Sequence, residues 1–346
     1  MLFFQNDYNT LCHPEVLATI TALESERMVG YGMDTICRKA AELIAERCAP
    51  TKTQVHFLVG GTQANLTVIA AALRPHHAVV GAETAHINVH ETGAIEATGH
   101  KVIGLDSPDG KVQAQQVRKL LELHVSDADA EHTAKPQMVY ISNPTELGTL
   151  YTRQELKDLH DVCRQFGLYL YLDGARLGYA LGAKGNDVTL PDLAELCDVF
   201  YIGGTKVGAM FGEAVVISNP AIAEDFRYLI KQRGGMLAKG WLLGAQFYAL
   251  FRENLYDHIG VQANRYADKI REVLDRMGYP LLIPGVTNQI FPILPDTVIE
   301  KLSALVRFSY QKRIDETHSA VRFCTSWATT EQEVAELCEL LQTTAS

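Results

Sequence analysis

The chain has 346 residues, 47% of them hydrophobic and 21% charged, which excludes a disordered or low-complexity protein and leaves room for a large domain with a smaller lobe. A formal charge of −10 excludes a nucleic-acid or anionic-membrane surface as the main partner, because such surfaces are held by clustered Lys and Arg that displace counterions. The opening "MLFFQNDYNTL" has no basic leader, and no apolar run approaches the ~18 residues of a membrane span, so a soluble cytoplasmic protein without an export signal is expected.

The first thirty residues read as an N-terminal segment. Short β-rich runs then alternate with helical patterns: "VHFLV" (55–59), "HAVVG" (77–81), "HKVIGL" (100–105), "QMVYIS" (137–142), "LYLYLD" (168–173), "DVFYIG" (198–203) and "EAVVIS" (213–218). Most are apolar at consecutive positions, the pattern of strands covered on both faces. Helices fit between them, notably "TQANLTVIAAAL" and "RQELKDLHDVCRQFG", whose Gly167 suits a helix C-terminal stop. The expectation is an α/β domain over 31–244, a mostly parallel sheet of about seven strands with helices on both faces. After Gly240 a helical stretch too long for one crossover helix leads into a small C-terminal α+β domain, 245–346, in which Thr330 and Glu333 have capping-box spacing.

Seven cysteines, spread from Cys12 to Cys338 with no C-x-x-C pair, fit reduced thiols better than a disulfide frame. His86 and His90 in "HINVH" have metal-ligand spacing, but no third ligand accompanies them and no metal is expected. A dinucleotide fold wants G-x-G-x-x-G after its first strand, which "VGGTQA" does not supply, and "GLDSPDGKV" has the wrong spacing for a P-loop and lacks Ser or Thr after Lys111.

Ligands of open α/β sheets collect at the carboxyl ends of the strands. Three strand ends carry reactive residues. The first ends in "GGTQAN", where Gly60 and Gly61 let backbone amides approach an anion and Thr62 opens a helix, although Gly-Gly-Thr is also an ordinary helix start. The fifth ends in "LDGAR", with Asp173 at the terminus and Arg176 one turn on, a pattern that a plain turn shares. The sixth ends in "YIGGTKVGAM", where Lys206 stands among glycines and apolar residues that favour its uncharged, nucleophilic form. An anion cradle, an acid and a lysine together match the phosphate, ring nitrogen and aldehyde of pyridoxal phosphate.

These segments, with "HPEVL", "GYGMD", "AHINVHETGAIEATGHKV" and "VRFCTSW", resemble the threonine aldolases and related β-eliminating lyases, pyridoxal phosphate enzymes of the aspartate aminotransferase fold (fold type I). The resemblance runs over nearly the whole chain. It implies that Gly61 and Thr62 hold the phosphate, His86 stacks on the ring, Asp173 binds the ring nitrogen and Lys206 carries the Schiff base. It also implies that Arg176 lies near the ring oxygen and substrate carboxylate, that Arg322 binds the carboxylate, that Asn6 stands where a serine is usual, and that Tyr31 approaches a neighbouring subunit's site. A homodimer or homotetramer with shared active sites follows.

Two departures accompany the resemblance. Glu146 in "NPTELG" stands near the place of a histidine base, and "RGGMLAKG" has Leu237 where an arginine would reach a phosphate across the dimer, leaving Arg233 or Lys239 as substitutes. The implied activity is aldol cleavage of small β-hydroxy-α-amino acids such as L-threonine; β-elimination on serine- or cysteine-like amino acids, with Lys206 as the base at Cα, is the alternative.

Overall fold

The computed structural model describes residues 1–48 and 53–344. All seven expected strands form, as β1 (Gln54–Leu58), β2 (His77–Ala82), β3 (Lys101–Leu105), β4 (Lys135–Ser142), β5 (Tyr169–Asp173), β6 (Val199–Gly203) and β7 (Glu213–Ile217). They make one sheet in the order β1-β7-β6-β5-β4-β2-β3. Strands β2 to β6 pair in parallel, while β7 runs antiparallel to both β6 and β1. The reversal makes β6 and β7 a hairpin-like pair whose connection carries Lys206. Strands β6 and β7 are buried at every position, as expected for strands covered on both faces.

Helices cover the sheet where local signals place them. Thr152 and Glu155 form a reciprocal capping box at the start of Arg153–Phe166, and Gly167 ends that helix at φ +71°. The smaller lobe is an antiparallel sheet of β8 (Gln289–Ile290), β9 (Ile293–Pro295), β10 (Ser309–Arg313) and β11 (His318–Cys324), with helices Asp296–Ser303 and Glu331–Thr344. The Thr330–Glu333 pair caps the last helix as its spacing suggests.

The long helical stretch breaks at Asn254, which adopts a left-handed φ of +57°, giving helices Trp241–Arg252 and Leu255–Arg276. Phe247, Leu250 and Phe251 belong to the core of the large sheet, and so does Ala263 in the following helix. Tyr266 and Ile270, one and two turns further on, belong to the core of the small lobe. The change of core therefore falls within Leu255–Arg276 rather than at residue 245, because the first helix packs most closely on Thr35–Arg47 of the large domain. The N-terminal segment ties the lobes together: Leu2 and Phe4 pack in the small core, Cys12 and Val16 in the large one.

Candidate active site

The carboxyl ends of β1, β5 and β6 and the loops after β2 and β4 surround a cavity of about 360 Å³. Its walls include Gly61, Thr62, His86, Glu146, Asp173, Arg176 and Lys206, so seven of the residues singled out in the sequence meet in one place. Glycines make this convergence possible. A Cβ on Gly174 would come within 1.9 Å of the Tyr201 carbonyl oxygen, and one on Gly203 within 2.2 Å of the Ala175 oxygen. The "DG" and "GG" after the two strands thus let the β5 and β6 ends touch, with Gly203 N–H donating to Gly174 O at 2.9 Å.

Asp173 is buried, and four donors fix its carboxylate. Oδ1 accepts from Tyr201 OH at 2.5 Å and Ala175 N–H at 2.9 Å; Oδ2 accepts from Tyr140 OH at 2.5 Å and Asn65 Nδ2 at 3.2 Å. Burial and the Asp173 charge push both tyrosines well above their ordinary range, so they remain donors. The network continues through Asn65, which donates to Glu91 Oε1 at 2.7 Å and accepts from Tyr171 OH at 2.7 Å. Glu91 in turn bonds His86 Nδ1 at 2.9 Å. Burial disfavours the His86 imidazolium, but the bond to Glu91 and the Asp173 and Glu91 charges outweigh it and raise its proton affinity.

Lys206 sits in the β6–β7 connection, closed by Gly204 N–H to Gly212 O at 3.0 Å and Gly212 N–H to Thr205 Oγ1 at 3.0 Å. Burial lowers the proton affinity of its amine, and the Arg176 charge lowers it further, against the opposing pull of Asp7 and Asp173. Arg176 is held by a bidentate pair with buried Asp7, Nε to Oδ2 at 2.6 Å and Nη2 to Oδ1 at 2.9 Å. Asn288 Nδ2 donates to Asp7 Oδ2 at 2.9 Å, so the small lobe also grips this pair. Burial raises the Asp7 carboxyl, but Arg176, Lys206 and these hydrogen bonds bring it below its ordinary value. Tyr8 also lines the cavity, with its ring centroid 6.0 Å from Lys206 Nζ.

Glu146 faces the cavity with Oε1 accepting from Ser142 Oγ at 3.0 Å. Burial, reinforced by the Asp173 charge, raises its proton affinity above that of an ordinary glutamate. A carboxylate so displaced is a stronger base.

The residues suit pyridoxal phosphate. Helix Gly61–Ala72 opens at the cavity wall after an uncharged Gly60 cap, with free first-turn amides for a phosphate. A Cβ on Gly61 would lie 2.9 Å from Tyr201 OH, so the bare backbone is needed there. Asp173 offers a fixed negative charge that would suit a basic ring nitrogen, and Lys206 a desolvated amine that would suit an aldehyde.

Five of the singled-out residues lie apart from the cavity walls. Asn6 accepts from Tyr8 N–H at 3.1 Å. Arg322 is engaged by Gln289 Oε1 at 3.2 Å and Gln5 O at 3.1 Å. Tyr31 lines a separate cavity of about 210 Å³ with Arg227 and Gly235–Leu237; Arg233 accepts Gln63 Nε2 on its carbonyl at 3.1 Å, and Lys239 is exposed. Sequence reasoning passed over Asp7, Tyr8, Asn65, Glu91, Tyr140, Tyr201 and Glu213. A polar residue inside an otherwise apolar, doubly covered strand was the available signal for Tyr140 and Tyr201.

A mostly parallel seven-stranded sheet with a lysine, an acid and a helix N-terminus on its strand ends is the architecture of the fold type I pyridoxal phosphate enzymes, and that cofactor is implied here. The same fold appears in the aspartate aminotransferase of Thermus thermophilus at 16% identity, with a TM-score of 0.72 over 99% of this chain and 91% of that one. Residues 6–296 match the family model described as β-eliminating lyase, and the chain belongs to that family. A low specificity L-threonine aldolase of Pseudomonas aeruginosa is 31% identical over 97% of this chain and 95% of its own length. A solved structure of Leishmania major threonine aldolase is 44% identical and covers 100% of both chains with a TM-score of 0.97.

Proposed function

We propose that the protein is a pyridoxal 5′-phosphate-dependent lyase that cleaves β-hydroxy-α-amino acids by retro-aldol chemistry, converting L-threonine and L-allo-threonine to glycine and acetaldehyde. The observation that carries the reading is the meeting, in one cavity, of the desolvated Lys206 amine, the four-donor Asp173 carboxylate and the strengthened base Glu146. The activities named for the P. aeruginosa and L. major relatives support it.

The cofactor, when bound, supplies an electron sink for the pair released at the substrate's Cα. Lys206 Nζ would hold its aldehyde carbon, Asp173 would favour a proton on its ring nitrogen, and Gly61 and Thr62 would receive its phosphate. His86 is assigned the place beside the ring, its protonation supported by Glu91. Glu146 takes the proton from the substrate's β-hydroxyl oxygen as the Cα–Cβ bond breaks. Arg176 keeps Nη1, which has no hydrogen-bond partner among the described residues, for the ring oxygen or the substrate carboxylate. Arg322, from the small lobe, is assigned to that carboxylate together with Asn6.

Tyr31 and Arg233 or Lys239 are proposed to complete a neighbouring subunit's site in a homodimer or homotetramer. The cytoplasm, with its reduced thiols, is the proposed location; no helix among the described residues is long and apolar enough to cross a membrane. The test is product analysis of the cofactor-loaded protein with L-threonine, L-allo-threonine, L-serine and L-cysteine. Glycine with acetaldehyde from either threonine is expected. Pyruvate with ammonia, and no glycine, would overturn the reading.

A further inference from the structure

Glu213 is the first residue of β7, paired with Gly203 of β6 on one side and Leu58 of β1 on the other. Because β7 runs against its neighbours, its start lies at the carboxyl end of the sheet, between the strand that leads to the anion cradle and the strand that leads to Lys206. The residue is 4% exposed and lines the same cavity as Lys206. Its carboxylate accepts Thr205 Oγ1 at 2.9 Å and Gly204 N–H at 3.0 Å, and among the described residues no cationic nitrogen lies within 4.0 Å of it. A buried carboxylate with two donors and no ion pair is a costly charge.

Three carboxyl groups act on Lys206: Asp7, Asp173 and Glu213. Asp7 is committed to Arg176 in a bidentate pair that holds it deprotonated. Asp173 is held as a carboxylate by four donors and faces the place assigned to the ring nitrogen. Glu213 alone has spare affinity for a proton, and burial pushes it up to about 8, although Lys206 pulls the other way. Other groups that bear on this pair are Arg176, His86 and His90 beside Lys206, and Asp173, Tyr171, Tyr201 and Tyr256 beside Glu213.

We propose that Glu213 is the proton partner of Lys206: its carboxylate takes the proton that the Lys206 ammonium must lose before the amine can attack an aldehyde. The exchange is Lys206–NH₃⁺ with Glu213–COO⁻ going to Lys206–NH₂ with Glu213–COOH, so no external acid or base is consumed. The Thr205 hydroxyl is adjacent to Lys206 in the chain and donates to Glu213, and a water in the cavity that both groups line would carry the proton between them. Glu213 is thus a positioning residue that acts through the charge of Lys206. The inference rests on Lys206 being the condensing amine.

The test follows the rate at which the cofactor-free chain condenses with pyridoxal, which lacks the phosphate, as a function of pH. Loss of condensation in Lys206→Ala checks the underlying reading, whatever Glu213 does. In Glu213→Gln the pH midpoint of condensation should move by about one unit, a tenfold change in proton affinity at the amine, because the carboxyl that exchanges its proton with the amine is gone. Glu213→Asp should keep the wild-type midpoint. Infrared spectra at neutral pH should show a protonated-carboxyl band in the wild type that Glu213→Gln lacks. A clamp that only shapes the Gly204–Thr205 turn would slow condensation and leave midpoint and band unmoved, and that result overturns the proposal. If Glu213→Gln does not fold, Glu213→Asp decides: the band must shift in that variant and titrate together with the rate, and a band that stays in place, as one from Glu146 would, overturns the proposal.

Discussion

The floor of the cavity and an outlying rim, the residues assigned to the proposed site that lie apart from the cavity walls, are built on different principles. On the floor, Asp173, Asn65, Glu91 and His86 form a continuous hydrogen-bonded chain, and Asp7 locks Arg176, all within one chain. Away from the cavity walls, Tyr31 and Lys239 are exposed and Arg322 is held by residues of its own lobe and N-terminal segment. In the proposed reaction, the hydrogen-bonded floor fixes the charges that act on the reacting atoms, while phosphate and substrate recognition also draws on the outlying residues. On the proposed function, substitutions on the floor should therefore change chemistry, and those on the rim should change affinity.

The largest effect is expected at Lys206. Lys206→Ala should abolish both turnover and the covalent adduct seen by mass spectrometry after borohydride reduction; an adduct that survives would move the chemistry elsewhere. Asp173→Ala comes next, with a loss of about 10³-fold in kcat even at saturating cofactor, because a preorganised charge is removed from a site where water cannot replace it. Turnover within a few fold of wild type would break the floor's assigned role.

Glu146→Gln should cost about 10²-fold and, more tellingly, remove the acid limb of the kcat/KM profile. Burial raises this carboxyl, so the base is present only above a midpoint higher than that of an ordinary glutamate, and wild-type activity should fall as pH drops through it. An unchanged acid limb in the variant would transfer the base's role to His86 or to water.

Asp7→Asn sharpens the comparison through stability. Removing one partner of a buried ion pair leaves Arg176 uncompensated, at an expected cost of about 3–5 kcal/mol, read as a fall in Tm at neutral pH. The folded Asp7 carboxyl lies below its ordinary value, so the pair's contribution is present above that value and lost as pH falls through the folded one. Wild type and variant should therefore converge in acid. A Tm difference that does not depend on pH would show that altered packing, not charge, dominates.

The floor's key residues were legible because glycines punctuate the strand ends. Gly174 and Gly203-Gly204 mark where backbone must approach backbone, Gly61 opens the helix at the cavity wall, and the reactive residues stand beside them. Their partners were not legible, since Tyr201, Tyr140 and Asn65 reach Asp173 from other elements through a strand order that no local periodicity encodes. Glu213 was hidden for a related reason. In "EAVVIS" it reads as the polar start of an apolar strand, and only the antiparallel placement of β7 puts that start at the ligand end of the sheet. The lobe boundary escaped because one helix, Leu255–Arg276, serves both cores with unbroken periodicity.

The rim carries the smallest single effects. Replacing Arg233 and Lys239 together by Ala should weaken cofactor binding by about tenfold for each side chain that reaches the phosphate and leave kcat at saturation nearly unchanged. If these residues act across a subunit boundary, a mixture with Lys206→Ala chains will complement. Random pairing makes about half of the dimers mixed, and in each mixed dimer one site combines both defects while the other has neither, so about a quarter of all sites recover. Activity is measured at a cofactor concentration that saturates wild type but not the double variant. Were the two residues to serve their own chain's site, every site in the mixture would carry one defect, and mixing would restore nothing.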